Sequence, residues 1–220
     1  MNTDTYIEKI RKLLRLAKSS NQAEAEAALA KAMELSARYQ IDMSDLAEDG
    51  GRCSVSAFIE KLISIAQAEV GVKEVGSTNR GPRVDDYQRA TWLEVKDWGP
   101  WCAAFVCFCV REALVACRLP VVTSSFERPR TASAFGFEKW SLAQDSTTQT
   151  RKPCGLDIKR GDLVIFSFSH IGIATSAPDG RGFITTIEGN SNAKGSRTGG
   201  MVCEGVRSVD LIRSRIRFAL

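Results

Sequence analysis

Three residue types that can hydrolyse an amide stand in this chain in a workable order. Cys102 lies in Gly99-Pro-Trp-Cys-Ala-Ala-Phe-Val, at the start of an apolar helical stretch. His170, the one histidine among 220 residues, closes a strand-like run that begins at Gly161. Thr186-Ile-Glu-Gly-Asn then offers Glu188 and Asn190 at the end of another strand. A thiolate can attack a carbonyl, an imidazole can carry the proton, and a carboxylate or amide can fix the ring.

Each residue has a plainer reading to overcome. Buried cysteines are usually core fillers, and Cys107, Cys109 and Cys117 are read that way. Cys102 differs because it follows Pro100 by two residues, and proline favours the first turn of a helix. Free N–H groups and the positive dipole end at a helix start favour a thiolate over a thiol. The same groups can hold the oxyanion of a tetrahedral intermediate. An isolated histidine is most often structural, but this one has a placed cysteine ahead of it and Glu-Gly-Asn behind it. Glu188 and Asn190 are two apart, so an extended strand turns both to the same side. Either can then accept from the imidazole.

The elements that must hold these residues read as α+β. Residues 55–70 carry Phe58, Leu62, Ile65 and Ala66 at helical intervals, and residues 84–90 suit a short helix. Residues 101–116 form the main core helix, with Phe105, Val106, Cys109, Val110, Ala113 and Leu114 in period. Residues 120–160 are expected to be irregular, apart from a helical stretch at 134–140. Strands follow at 162–168, 170–176 and 182–187, with weaker ones at 201–206 and 212–219. Helices first and an antiparallel sheet afterwards is an α+β layout. Ahead of this body, residues 1–48 read as a helical hairpin whose Ile7, Ile10, Leu13 and Leu14 share one face. Residues 49–54, with Gly50-Gly51, form the expected linker.

Composition narrows the class. The chain is 44% hydrophobic and 25% charged, as a globular protein with a real core should be. No run of 18 apolar residues occurs, and the first residues do not read as a signal peptide. The expectation is synthesis in a cytoplasm, without stable membrane insertion. Seven cysteines, four of them between Cys102 and Cys117, do not suggest a disulfide framework. Zinc is unexpected, since no Cys-x-x-Cys pair exists and one histidine is available. Of the net charge of +4, residues 1–53 contribute −1 and the remainder +5. A mildly basic body suits a polyanion such as nucleic acid or bacterial wall, but solubility alone accounts for it equally well.

Pro100-Trp-Cys-Ala-Ala-Phe-Val, Gly161-Asp-Leu-Val-Ile-Phe, His170-Ile-Gly-Ile and Ile187-Glu-Gly-Asn together resemble the CHAP domain. That family comprises the cysteine- and histidine-dependent amidohydrolase/peptidase modules of peptidoglycan-cleaving enzymes. The segment Glu69-Val-Gly-Val-Lys-Glu, with Asn79, Pro82, Val84 and Tyr87, is similar to what precedes the cysteine in one subgroup. The resemblance spans residues 55–220 and implies a papain-like fold. It implies that Cys102 is nucleophile, His170 base and Glu188 ring-orienting acid, with Asn190 at the fourth polar position, and that Asn79 and Trp101 touch substrate. Several relatives bind calcium through an Asp-rich loop before the cysteine. Here Asp85-Asp86 is isolated, so no metal and no other cofactor is expected. The implied protein is a phage-type endolysin acting as a monomer on peptidoglycan rather than nucleic acid, released from the host cytoplasm to reach the wall. An amidase toxin of interbacterial competition and a non-catalytic wall-binding phage protein are the alternatives. The first 48 residues resemble a short helical domain of unknown function found in bacterial and phage proteins, with wall or partner binding as the expected role.

Overall fold

The computed structural model describes residues 3–17, 21–39, 53–123, 125–144, 147–151, 157–192 and 194–220. The chain divides into two compact units, Met1–Arg52 and Cys53–Leu220. In the first, α1 (Thr3–Leu16) packs against α2 (Gln22–Tyr39). Asn21 caps α2, its Oδ1 accepting from the Glu24 N–H at 3.4 Å. The buried centre is Ile10, Ala32 and Leu35, flanked by Leu13, Leu14 and Tyr39. The glycine pair expected to form the linker lies outside the described residues.

Among its described residues the second unit contains four α-helices and one sheet. Ser54 caps α3 (Val55–Ala68), its hydroxyl accepting from the Ala57 N–H at 3.1 Å. Pro82 opens α4 (Pro82–Gln88), where its missing N–H costs nothing. Cys102 opens α5 (Cys102–Ala116), and α6 (Gly136–Leu142) follows. The strands are β1 (Thr148–Arg151), β2 (Leu163–Phe166), β3 (His170–Ala174), β4 (Phe183–Ser191), β5 (Met201–Ser208) and β6 (Ile212–Phe218). They form a six-stranded antiparallel sheet in the order β1-β6-β2-β3-β4-β5. The architecture is therefore α+β, as the sequence pattern implied.

Strand alternation divides the core into two faces. Leu163, Ile165, Ile171, Ile173 and Ile187 turn toward the helices and join Phe58, Leu62, Phe105 and Leu114. Val164, Phe166 and Ala174 turn the other way and pack with Ile158, Ile184 and Ile212. Helix α5 lies on β3 and β4, with α3 and α4 against its other side. The Gly161-Asp162 pair is structural. Gly161 adopts φ 88°, and a Cβ there would meet Ile59 at 2.5 Å. Buried Asp162 accepts from Arg217 on β6 at 2.8 Å, which ties the start of β2 to its neighbour.

Two boundaries differ from the sequence pattern. The stretch 120–160 contains β1, whose Thr-Gln-Thr-Arg has no apolar alternation to announce it; Thr148 is buried by a 2.6 Å bond to the Ser141 hydroxyl. Strand β4 continues past residue 187 to Ser191, through the segment that carries the site.

Candidate active site

Helix α5 delivers the cysteine. The N-terminal residue Trp101 supplies no side-chain cap, so the first-turn N–H groups at Cys102 are left for another acceptor. The turn before the helix is pinned from outside. Gln88 Nε2 donates to the Gly99 carbonyl at 2.7 Å, and Trp101 Nε1 donates to Glu74 at 2.9 Å. Trp101 also packs on Tyr87 at 5.6 Å between ring centroids. It is completely buried, which corrects the expectation that it touches substrate: its work is to fix the helix start. Cys102 retains 6% exposure, whereas Cys107 and Cys109 are fully buried in the core and burial pushes both thiols up.

The β2–β3 hairpin delivers the histidine. Phe166 pairs with His170 across a three-residue loop in which Ser169 takes the left-handed conformation, φ 61°. The imidazole stacks near Phe166 and Phe168, with ring centroids 6.1 and 6.0 Å away. His170 Nε2 lies 3.0 Å from Glu188 Oε2. A carboxylate can only accept, so Nε2 carries the proton and Nδ1 is the basic nitrogen. Nδ1 has no partner in full hydrogen-bonding geometry, yet the Cys102 thiol lies close enough to act on the ring. Burial alone would lower the His170 pKa. Cys102 and Glu188 outweigh burial and raise it from 6.5 to about 9. The imidazolium is the form of His170 that this environment favours.

Glu188 is held by more than the ring. Arg207 on β5 donates through Nε at 2.7 Å to Oε1 and through its terminal nitrogen to Oε2. The Thr186 hydroxyl donates at 2.6 Å and the Ser191 hydroxyl at 3.3 Å. Burial works against the charge on Glu188, but Arg207 and His170 hold its carboxyl down at about 2. Arg207 in turn lies over Phe166 and Phe168 at 5.3 and 5.7 Å. Two glycines make room for this arrangement. A Cβ on Gly172 would meet the Glu188 Cγ at 2.7 Å, and one on Gly189 would meet Phe105 at 2.5 Å and Trp101 at 3.0 Å.

Asn190 is placed differently from Glu188. The strand register shifts between Glu188 and Ser191, and Asn190 adopts φ 53°. This bulge breaks the alternation that would have turned both residues one way. Ser191, not Asn190, shares the surroundings of Glu188. Asn190 Oδ1 accepts from the Gly200 N–H at 3.3 Å, while its Nδ2 is buried without a partner. Among the described residues, then, the contact to the ring comes from Glu188. Asn190 lines a cleft of about 620 Å³ together with Pro100, Lys73, Glu74 and Asn79.

Sequence reasoning missed Arg207, Thr186, Gln88 and Glu74 as supports. Arg207 and Thr186 sit on strands where a polar residue at every second position is ordinary, so nothing singled them out. The glycines beside His170 and Glu188 were the available signal. The two acids before the cysteine prove to be occupied by arginines: Asp85 by Arg80 at 2.9 Å and Asp86 by Arg89 at 3.0 Å.

The family described as a protein of unknown function, DUF2786, matches residues 6–43. No curated protein matches the chain. Among solved structures the chain is similar to a wild-type endolysin, LysIME-EF1, at 17% identity and a TM-score of 0.44. That likeness covers 72% of this chain and 63% of the other, less than two thirds of its length. No helix among the described residues is long and apolar enough to cross a membrane.

Proposed function

We propose that residues 53–220 form a CHAP-like thiol hydrolase that cleaves an amide or peptide bond of bacterial peptidoglycan. The observation that carries this reading is the buried Glu188–His170 contact at 3.0 Å, with Cys102 against the same ring at an uncapped helix start. The choice of wall as substrate rests on the resemblance of the motifs around Cys102, His170 and Glu188. A basic body suits that polyanionic surface.

The mechanism follows from the placement. The Cys102 thiolate attacks the carbonyl carbon, and the first-turn N–H groups of α5 receive the developing oxyanion. As the C–N bond breaks, the His170 imidazolium gives its Nδ1 proton to the leaving amine. Water then loses a proton to Nδ1, attacks the thioester, and releases the carboxylic acid and the free thiolate. Glu188 holds the ring in one tautomer throughout and stabilises the imidazolium. The protein would act in this way once it reaches the wall, with peptidoglycan as its partner and without a cofactor. The N-terminal hairpin would serve wall or partner binding.

Digestion of purified sacculi, followed by release of new amino groups, tests the proposal. Cys102→Ala should abolish release while circular dichroism stays unchanged. Release that survives this substitution would remove Cys102 as nucleophile and the proposal with it.

A further inference from the structure

Two thiols with no part in the hydrolytic chemistry meet at the far end of α5. Cys53 lies one residue before Ser54, which caps α3, and Cys117 is the C-terminal cap of α5. Helix α3 packs against α5, so the start of one helix meets the end of the other. Both cysteine side chains are free, partly buried and packed on the core that holds Phe58 and Leu114. Their thiols lie within hydrogen-bonding reach of each other. Cys53 Sγ also donates to the Ser54 carbonyl at 3.8 Å. The other described cysteines are shielded: Cys107 and Cys109 are fully buried, and Cys102 and Cys203 are each 6% exposed. At about 1.5 Å per residue, roughly 22 Å of helix separates Cys117 from Cys102.

We infer that Cys53 and Cys117 form a modification site, which a low-molecular-weight disulfide oxidises to a bridge that staples the start of α3 to the end of α5. The chemistry is thiol–disulfide exchange. The Cys53 thiolate attacks one sulfur of the reagent, whose S–S bond breaks, and one small thiolate leaves. Cys117 then gives its proton to solvent and attacks the Cys53 sulfur. The protein S–S bond forms as the second small thiolate leaves. The two protein thiols have lost two protons and two electrons, and the reagent has been reduced to two thiols. Burial and the neighbouring thiol push Cys117 up to about 11, which holds it as the thiol and leaves the first attack to Cys53. Lys61 on α3 places a positive charge near Cys117 that favours its thiolate in the second step. The closed loop runs from residue 53 to residue 117, long enough for the bridge to remove much conformational freedom from the unfolded chain. One such bridge modifies a folded protein and is not a disulfide framework that folding requires. The inference does not depend on the hydrolase reading.

The test incubates the folded full-length Cys102→Ala protein, which lacks the proposed nucleophile, with glutathione disulfide. Thiol titration in denaturant and peptide mapping by mass spectrometry read the product. Two thiols per chain should disappear without retained glutathione, and the mapped crosslink should join Cys53 to Cys117. Dithiothreitol should restore both thiols. Cys117→Ser should stop the reaction at one glutathione adduct on Cys53, and in Cys53→Ser the remaining Cys117 should react about tenfold more slowly than that. The bridged protein should unfold about 5–15 °C above the reduced one, and Cys117→Ser should show no such shift. Survival of all the thiols, glutathione retained on both cysteines, a crosslink to Cys154 or between two chains, or an unchanged unfolding temperature in the bridged protein would each overturn the inference.

Discussion

Glu188 and Asn190 are separated by one glycine, yet they occupy opposite kinds of environment. Glu188 is saturated: a guanidinium, two hydroxyls and an imidazole converge on its two oxygens. Asn190 has its acceptor satisfied and its donor buried without a partner. The contrast is between a side chain clamped from every side and one whose amide donor is buried alone. Holding a catalytic ring requires groups fixed before substrate arrives, because reorganising them during the reaction would add to the barrier. The bulge at Gly189–Asn190 is what sends the two side chains apart, since regular alternation would have turned both to the same side.

The comparison breaks most completely at its closed side. Glu188→Gln leaves Arg207 buried without its anion and the imidazolium without its counter-charge. Activity should fall by about 10²–10⁴-fold, and stability by about 3–5 kcal/mol, read by hydrolysis rate and denaturant midpoint. Arg207→Met should cost less in rate, about 10-fold to 100-fold on the same general acid–base scale, because the Glu188–His170 bond survives. If Arg207→Met left both rate and stability unchanged, the clamp would be decoration rather than support. Gly172→Ala comes next. Its Cβ would stand 2.7 Å from the Glu188 Cγ, so Glu188 must shift. Overpacking of this kind costs about 1–3 kcal/mol, and the rate should fall with it.

Titration sharpens the same contrast, and a single histidine makes it directly readable by NMR. His170 is raised from 6.5 to about 9, so the folded state binds the proton more tightly than the unfolded chain. Its stabilising contribution is complete below about pH 6.5 and is lost as pH rises through about 9. Glu188 has the opposite sign: lowered from 4.5 to about 2, it stabilises above pH 4.5 and loses that contribution as pH falls toward 2. The imidazole resonances should therefore titrate near pH 9, with the alkaline limb of activity following. In Cys102→Ala and in Glu188→Gln the midpoint should move down, since each removes one of the groups that raise it. A midpoint near 6.5 in the native protein would mean that the ring is not clamped as described.

The sequence carried the chemistry better than its supports. The helix start at Cys102 was legible from Pro100, and the hairpin at His170 from the apolar run that ends there. Glu188 and Asn190 could be found but not told apart, because a bulge leaves no mark in the residue types beyond Gly189 itself. Trp101 was expected to touch substrate because its neighbour is the proposed nucleophile; its burial depends on Tyr87 and Gly189, which are distant in sequence. Arg207 was invisible for a related reason. A charged residue on an edge strand ordinarily faces water, and only the pairing of β5 with β4 turns this one inward. Strand β1 escaped notice because four polar residues can pair with β6 without any apolar pattern.

The smallest expected effect concerns the first unit, which extends the contrast between closed and open to the whole chain. The body buries a continuous core from Phe58 to Phe218 and holds all the proposed catalytic residues, whereas the hairpin is centred on Ile10, Ala32 and Leu35 and leaves Leu29 and Met33 exposed. Helices of this length gain little stability alone, and their apolar surface invites a partner. A shortened chain beginning near Arg52 should therefore fold and cut soluble muropeptides at an unchanged rate. On intact sacculi it should be slower, by about the loss of effective concentration that tethering provides. Equal loss on both substrates would show that the hairpin stabilises the body. Equal activity on both would remove any part for it in lysis, and its exposed leucine and methionine would then call for a partner other than the wall.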